Sequence, residues 1–294
     1  WSLLGFGLLI LLGTGYFAKK SIKHRKEMLE KEKEIQLNHS IIREFPDTNC
    51  ISIFGGVKII NKDGINVADS LSPKLKELLA MIVFYSRKER DGSTKGVNFK
   101  LLEEIFWYNI QSENIKNNRN VTFANIRKAL KNFENLTLNV KKNEVTLDYP
   151  EDISNKVQHY FSLVDYLDST ETAPDDPAFA AFAGIVSEGV ALNELHSEWA
   201  DNTRSIIRSK VISILERYLD LLFKRNDYKS CIKVAEIAIL HDPLHESTLR
   251  YKIKSHVMLD EVKIAEECYS RFSKRYFEMY KEECPFEFDE LLED

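Results

Sequence analysis

Short apolar runs early in the chain predict a small β-sheet. Isoleucine and valine recur around Gly55 and Gly56, at Ile51, Ile53, Val57, Ile59 and Ile60, which is typical of strands. The run Asn61–Gly64 has the residue types of a hairpin turn before Ile65 and Val67. We therefore expect a small N-terminal sheet in this region.

Three helices are predicted after this sheet from the spacing of apolar residues. Ser72 and Pro73 supply a cap and a first-turn proline for a helix over about 73–88, and a second helix covers about 99–107. After a polar stretch, Asn118 is expected to cap a third helix. Four of its apolar residues are expected to face the core: Val121, Ala124, Leu130 and Phe133.

The outer face of the third helix is predicted to be basic and rich in hydrogen-bonding groups. Its expected members are Arg119, Thr122, Asn125, Lys128 and Lys131. Beyond the helix, alternating residues over 136–140 and 145–149 predict a β-hairpin with Lys141, Lys142 and Asn143 at its tip. A basic helix face beside a basic hairpin indicates a surface for a polyanion.

The chain after Pro150 is predicted to be almost wholly helical. A helix near 157–167 and a loop over 170–177 precede one long amphipathic helix, marked by apolar residues from Ile206 to Leu222. Further helices are expected over 228–241, 244–259 and 262–280, with small residues for tight crossings at Ala235, Ala238 and Ala265. Helix pairs of this length are typical of tetratricopeptide-like repeats.

The first 18 residues carry no charge and predict a transmembrane helix, since such a helix would span roughly 27 Å. Five basic residues follow within residues 19–26, which by the positive-inside tendency places everything from residue 19 onward in the cytoplasm. Residues 19–48 are expected to form a helical stalk. The alternative is that residues 1–18 form a buried helix of a domain absent from the sequence.

Charge divides the chain into a basic and an acidic part. Residues 1–94 carry +4, residues 95–142 carry +5 and residues 143–294 carry −14. The positive charge that a polyanion requires therefore lies in the first half. The four cysteines have neither zinc-type spacing nor the density of a disulfide scaffold, so we interpret them as free thiols.

Motifs of enzyme chemistry are missing from the sequence. There is no phosphate-cradling glycine loop, no metalloprotease motif and no nucleophile elbow. His241 and His245 have helical spacing, but Pro243 lies between them and no acid or cysteine completes a ligand set. We therefore expect no catalytic residues, no metal site, no cofactor and no enzymatic activity.

Three segments of residues 51–149 resemble the OmpR/PhoB type of winged helix. Residues 72–79 (SPKLKELL) are similar to the opening of that family's first helix, and residues 101–107 (LLEEIFW) to its second helix. Residues 120–130 (NVTFANIRKAL) are similar to its recognition helix, "D-V-x-I-x-x-L-R-K-x-L". The third segment is the specific one, and the resemblance covers about 100 residues.

The resemblance implies that the third helix enters the major groove of DNA while the hairpin wing touches the minor groove or its phosphates. By position, Thr122 and Asn125 are then the base-edge candidates. Phosphate or mixed contacts are implied at Arg119, Arg127, Lys128 and Lys131, and wing contacts at Lys141 and Lys142.

The run Ala235–Glu246 (AEIAILHDPLHE) resembles the bacterial transcriptional activation domain that follows the winged helix in SARP-type regulators. Tyr269 occupies the position of that family's tyrosine in "A-x-x-x-Y". Two segments depart from the pattern, at 259–261 and at 282–286. The resemblance implies a partner-binding role, and the acidic surface favours a protein partner over DNA.

Together these features predict a fold that is mainly α with small β elements. The expected domains are a transmembrane helix (1–18), a stalk (19–48), a winged-helix DNA-binding domain (49–150) and a tetratricopeptide-like domain (151–294). The predicted function is that of a membrane-anchored, sequence-specific transcription regulator of the inner membrane, with a sensor part upstream of Trp1. Double-stranded DNA, the membrane, RNA polymerase and a second copy of the chain are the expected partners.

The alternative function is that of a membrane-tethered adaptor, in which the helical repeats bind proteins and the winged helix does not bind DNA.

Overall fold

The described chain opens with a three-stranded sheet. The computed structural model describes residues 44–293, apart from 90–92, 132, 134, 142, 172 and 174. Strand β1 (Cys50–Ser52) pairs antiparallel with β2 (Lys58–Ile60). It also pairs in parallel with β8 (Ser154–Asn155), so the strand order is β2-β1-β8. The predicted sheet is confirmed, and its third strand comes from beyond residue 150.

The turn at Asn61–Gly64 leads into a 3-10 helix rather than into a long second strand. Ile60 and Asn66 form one isolated antiparallel bridge. The Asn66 side-chain oxygen then accepts hydrogen bonds from the backbone N–H groups of Ile59 (2.9 Å) and Ala68 (3.2 Å). This side chain caps the 3-10 helix Val67–Ser70, because a short amide offers the backbone a local alternative to strand pairing.

Three helices form the centre of the first half. Helix α1 (Pro73–Tyr85) begins at the predicted proline, and α2 (Phe99–Phe106) ends one residue before the predicted end. Helix α3 spans Ser112–Leu130 and is longer than predicted. Between α1 and α2 the chain forms a two-stranded ribbon, β3 (Arg87–Lys88) with β4 (Thr94–Lys95). Helix α1 packs against both α2 and α3 and supplies a run of buried residues from Leu78 to Val83.

The predicted hairpin is present and joins a third strand. Strands β6 (Thr137–Val140) and β7 (Glu144–Asp148) pair antiparallel, with Leu138 opposite Leu147. Strand β5 (Val97–Asn98) pairs with the other edge of β7, so the order is β5-β7-β6. The element order of three helices and a closing hairpin is therefore the predicted one.

The second half is helical, as predicted. The helices described in this half are α4 (Lys156–Ser169), α5 (Pro177–Val186), α6 (Glu198–Lys224), α7 (Tyr228–His241), α8 (Glu246–Met258) and α9 (Val262–Tyr280). Helices α6 to α9 pack in succession, each against its neighbour along the chain. The bounds predicted for α7 and α9 agree with the structure.

The C-terminal segment closes the end of this helical stack. Leu291 is fully buried in an apolar cluster that includes residues of α8 and α9, and Phe286 and Phe288 pack on the same cluster. The Arg250 guanidinium donates to the backbone carbonyls of Glu290 and Glu293, each at 3.1 Å. The segment therefore covers apolar side chains of α8 and α9 that would otherwise be exposed.

A loop between α5 and α6 joins the two halves through backbone hydrogen bonds. The N–H of Leu192 donates to the carbonyl of Ile53 at 2.8 Å, and the N–H of Gly55 donates to the carbonyl of Val190 at 3.2 Å. A Cβ on Gly189 would lie 2.9 Å from the Cα of Gly55, so the contact requires glycine. The described residues from 44 to 293 accordingly belong to one compact unit. The domain boundary at residue 150 stays a prediction.

A buried ion pair reinforces this joint. The Lys156 ammonium, on a side chain only 2% exposed, contacts the Glu188 carboxylate. Glu188 also lies 3.4 Å from the Lys58 ammonium and accepts a hydrogen bond from the Ser52 hydroxyl at 3.3 Å. The joint therefore unites β1, β2, the start of α4 and the loop after α5.

The predicted membrane-spanning fold and the inner-membrane location are corrected by the structure. Within residues 44–293, no described helix is both long enough and apolar enough to cross a bilayer. The longest of them, α6, has 27 residues and carries charged side chains along its whole length, from Glu198 to Lys224. The segment that suggested an anchor, residues 1–18, and residues 19–43 of the predicted stalk lie outside the described residues. The supported description is a mainly helical fold with small sheets.

Candidate nucleic-acid interface

Helix α3 begins six residues before the predicted cap. Asn118 lies inside the helix, where its amide donates to the carbonyl of Asn114 at 3.0 Å and its own carbonyl accepts from the Thr122 hydroxyl at 2.7 Å. The first turns are almost entirely polar, with Ile115 as the exception among residues 112–120. An apolar stripe is the main signal for a helix, and this segment lacks one, so its helical structure was missed.

The side of α3 that faces the core differs from the predicted one. Phe123, Ile126 and Leu130 are buried and follow each other at intervals of three and four residues. Val121 is 54% exposed, and Ala124 is exposed as well. Because successive residues of a helix are about 100° apart, the two sets lie on opposite sides. The assignment of Val121 and Ala124 to the core was wrong, whereas Leu130 and Phe133 are buried as predicted.

Arg119 lies on the inner side of α3. Its Nη1 is 2.8 Å from Oε1 of Glu103, and its guanidinium lies 3.9 Å from the ring centre of Phe99. The Arg119 side chain is 16% exposed. These contacts hold α2 against α3, and they leave this arginine less free to reach a ligand than its sequence position indicated.

The other predicted positions on α3 lie outside the core. Asn125 and Lys128 are exposed, and so is Lys131, which caps the C-terminus of the helix. Thr122 is half-buried, and its hydroxyl is engaged with the Asn118 carbonyl. Asn125, Lys128 and Lys131 therefore remain the most accessible members of the predicted set on this helix.

Arg127 connects α3 to the wing. Its Nε donates to the carbonyl of Leu138 in β6 at 3.2 Å, while the residue as a whole remains exposed. The side chain of Leu138 is buried, so β6 is packed against the core at this point. The structure thus brings α3 and the predicted wing side by side, with Arg127 between them.

The wing tip carries one described lysine. Lys141 is exposed, and its Nζ lies 3.4 Å from the carbonyl of Thr94 in β4. Its backbone N–H donates to the carbonyl of Glu144 at 2.9 Å, which closes the hairpin. Lys142, the second predicted wing contact, lies outside the described residues.

Beside Lys128 and Asn125, the structure adds residues that the sequence analysis did not select as contacts. A strip of exposed residues, here called the outer strip, runs along α3 at spacings of four, three and four: Asn117, Val121, Ala124 and Lys128. Asn120 and Asn125 are exposed at its two edges. The large apolar residues Phe123, Ile126 and Leu130 could have identified the buried side, and with it this strip.

The charged side chains of α3 are almost all positive. Residues 114–131 contain five lysines and arginines and no aspartate or glutamate. Arg127 and Lys128 also lie in the last helical turn, where positive charges interact favourably with the helix dipole. Stabilisation of the helix is thus a second role for these two residues, and it does not conflict with contact to an anion.

The two histidines considered as metal ligands make hydrogen bonds within the protein, and the cysteines are free thiols. The His241 ring is buried and its Nε2 lies 2.8 Å from the carbonyl of Val186, while Nδ1 of His245 lies 3.0 Å from Oγ1 of Thr248. Burial raises the pKa of the Cys231 thiol to about 11. All four cysteines are free thiols. In the part of the chain that the structure describes, no group of three or more His, Cys, Asp or Glu residues could hold a metal ion.

Comparison with known proteins shows similarity at the level of structure rather than sequence. No protein-family model matches the sequence, and no curated protein matches it. The chain is similar to a solved structure of Mycobacterium tuberculosis EmbR in complex with a low affinity phosphopeptide, with 16% sequence identity and a TM-score of 0.49. The match covers 78% of this chain and 60% of that one, so the chain spans less than two thirds of the EmbR structure. A likeness at this level assigns neither a family nor a function to the chain.

Proposed function

We propose that the chain is a sequence-specific DNA-binding transcription regulator, in which α3 reads the major groove and the β6–β7 hairpin contacts the flanking backbone. The observation that carries this proposal is the exposed side of α3. It is long, free of carboxylates from residue 114 to 131, and adjacent to a hairpin with an exposed lysine at its tip. A groove of about 12 Å admits a single helix of this kind.

The arrangement of α3 and the wing supports contact to both bases and phosphates. Asn125 projects from the outer side and can pair with a base edge, whereas Lys128 and Lys131 near the C-terminus supply charge for phosphates. The bond from Arg127 to Leu138 holds β6 beside the helix. Helix and wing can therefore meet one DNA duplex as a single surface.

The helical second half is proposed to bind protein rather than DNA. Residues 143–294 carry a net charge of −14, and this charge repels a polyanion. RNA polymerase and a second copy of the chain are the proposed partners of this half. Because the loop after α5 is hydrogen-bonded to Ile53 and Gly55, a partner bound to the helices would lie on the same compact unit as the β1–β2 sheet.

The salt dependence of DNA binding tests the proposal. Binding of the full chain to a pool of mixed-sequence duplexes is measured by fluorescence anisotropy at several salt concentrations. Each phosphate contact should add roughly 0.9 to the slope of log affinity against log salt. Lys128→Ala and Lys131→Ala should each lower that slope by about 1.

Matched controls are Lys229→Ala and Lys233→Ala, which remove exposed lysines from α7 in the acidic half. They should leave the slope unchanged. Weak binding with little salt dependence, or equal effects of all four substitutions, would contradict the proposal and favour the adaptor function.

A further inference from the structure

The outer strip of α3 has an unusual chemistry for a surface that reads DNA. Its exposed members before Lys128 are Asn117, Val121 and Ala124, with Asn120 and Asn125 at the edges. It therefore presents amides and small apolar groups to the solvent. Val121 is 54% exposed and lies outside the buried core, so its methyl groups are accessible to a ligand.

Arginine, which recognises guanine through two parallel hydrogen bonds, is absent from the strip itself. Helix α3 contains two arginines, and both have other contacts. Arg119 lies on the inner side with Glu103 at 2.8 Å and Phe99 beneath its guanidinium. Arg127 donates its Nε to the Leu138 carbonyl at 3.2 Å, at the edge that faces the wing. The central turns of the strip thus lack the side chain that most often selects G·C pairs.

Lys128, at the C-terminal end of the strip, is the one member that could pair with guanine, whereas the amides and small apolar groups before it have preferred partners in A·T pairs. An asparagine amide donates to N7 and accepts from N6 of adenine, and small apolar side chains contact the C5 methyl of thymine. Val121 and Ala124 are three residues apart and lie side by side on the helix. Together they form one small apolar patch on the helix, with asparagine amides on either side.

We infer that α3 reads a half-site whose central base pairs are A·T, with thymine methyls against Val121 and Ala124 and adenine paired by Asn117 or Asn125. This inference rests on the proposed DNA-binding function and adds the class of sequence that is read. Lys128 then contacts the backbone beside the A·T step.

Selection from a random duplex library tests the base preference. The full chain is incubated with a library of duplexes with a random central region, and bound sequences are amplified and sequenced. A·T pairs should be enriched at the centre of each half-site. In that site, Asn125→Ala or Asn117→Ala should relax the preference for adenine at one position by roughly 5- to 150-fold.

Uracil substitution tests the valine directly, because uracil differs from thymine only by the missing C5 methyl. Replacing the selected thymines by uracil should weaken wild-type binding by roughly fourfold for each methyl that is contacted. Val121→Ala should bind the thymine duplex more weakly and lose less on the change to uracil. Ile206→Ala, which removes an exposed apolar side chain from α6, should keep the wild-type ratio.

The possible outcomes separate the inference from the function on which it rests. Enrichment of G·C pairs at the half-site centre, or equal affinity for thymine and uracil duplexes, would overturn the inference and leave DNA binding standing. A chain that enriches no sequence and binds duplexes without salt dependence would overturn both. Circular dichroism of Val121→Ala and Ile206→Ala confirms that each variant is folded.

Discussion

The buried ion pair between Lys156 and Glu188 allows a quantitative prediction about the joint of the two halves. Glu188→Gln keeps the shape of the side chain and removes its charge. Lys156 has a side chain only 2% exposed, and Glu188 is its ion-pair partner among the described residues. Removing one partner of such a pair typically costs about 3–5 kcal/mol, because the other charge stays buried without compensation. We expect about 3 kcal/mol, since the glutamine oxygen can still accept a hydrogen bond.

Substitution of the other partner, Lys156, should lower the unfolding free energy by less. In Lys156→Met, Glu188 retains the Lys58 ammonium at 3.4 Å and the Ser52 hydroxyl at 3.3 Å. Its side chain is also 16% exposed and keeps some contact with water. We therefore expect a loss of about 1–2 kcal/mol, comparable to a hydrogen bond to a charged group. The double variant Lys156→Met with Glu188→Gln should be more stable than Glu188→Gln alone.

Urea titration followed by circular dichroism measures these differences, provided that the slope of the unfolding free energy against urea is unchanged between variants. The reasoning fails if Glu188→Gln lowers the unfolding free energy by less than about 1 kcal/mol. It also fails if the effects of the two single substitutions add in the double variant, since residues in contact are expected to be non-additive.

Three further predictions concern single side chains. Phe123→Ala should lower the unfolding free energy by about 3–5 kcal/mol because the ring is buried, whereas Val121→Ala should change it by less than about 0.5 kcal/mol. Equal losses of unfolding free energy in urea titrations would mean that Phe123 does not lie on the buried side of α3. Arg119→Ala should cost about 1–3 kcal/mol by leaving Glu103 without its partner, with little change in the salt slope of DNA binding; a lower slope at unchanged stability would make Arg119 a phosphate contact. Burial holds the pKa of His241 below its ordinary 6.5, so the unfolded chain binds the proton first and stability should fall as the pH drops below about 6.5. His241→Gln should flatten that decline in urea titrations at several pH values, and an unchanged pH profile would exclude the mechanism.

Most helices of the second half were predictable because large apolar residues recur at regular spacing along them, whereas α5 (Pro177–Val186) was not predicted as a separate helix. The bounds 228–241 and 262–280 follow directly from such stripes. Helix α3 was predictable only in its second part. Its first turns are polar and have no apolar stripe. They extend a helix whose second part is packed against the core, and adding a turn to an existing helix is easier than starting a new one.

The inner position of Arg119 could not be predicted from local pattern. A guanidinium is ordinarily exposed, and here it is only 16% exposed because Glu103 and Phe99, 16 and 20 residues earlier in the chain, supply a carboxylate and a ring. The same holds for the joint at Gly55 and Gly189, which are far apart in the sequence. Pairing of this kind depends on tertiary structure and leaves no periodic signal.

The pairing of β1 with β8, and its contacts to the loop after α5, determine how the protein can be divided for experiments. A fragment that stops at residue 150 retains α3 and the wing. It loses β8 and the loop, so the carbonyl of Ile53 and the N–H of Gly55 lose the partners that they have at 2.8 and 3.2 Å. One side of β1 then becomes an open strand edge, and such edges pair with other chains. Aggregation of the fragment would report this exposed strand and would say nothing about affinity for DNA.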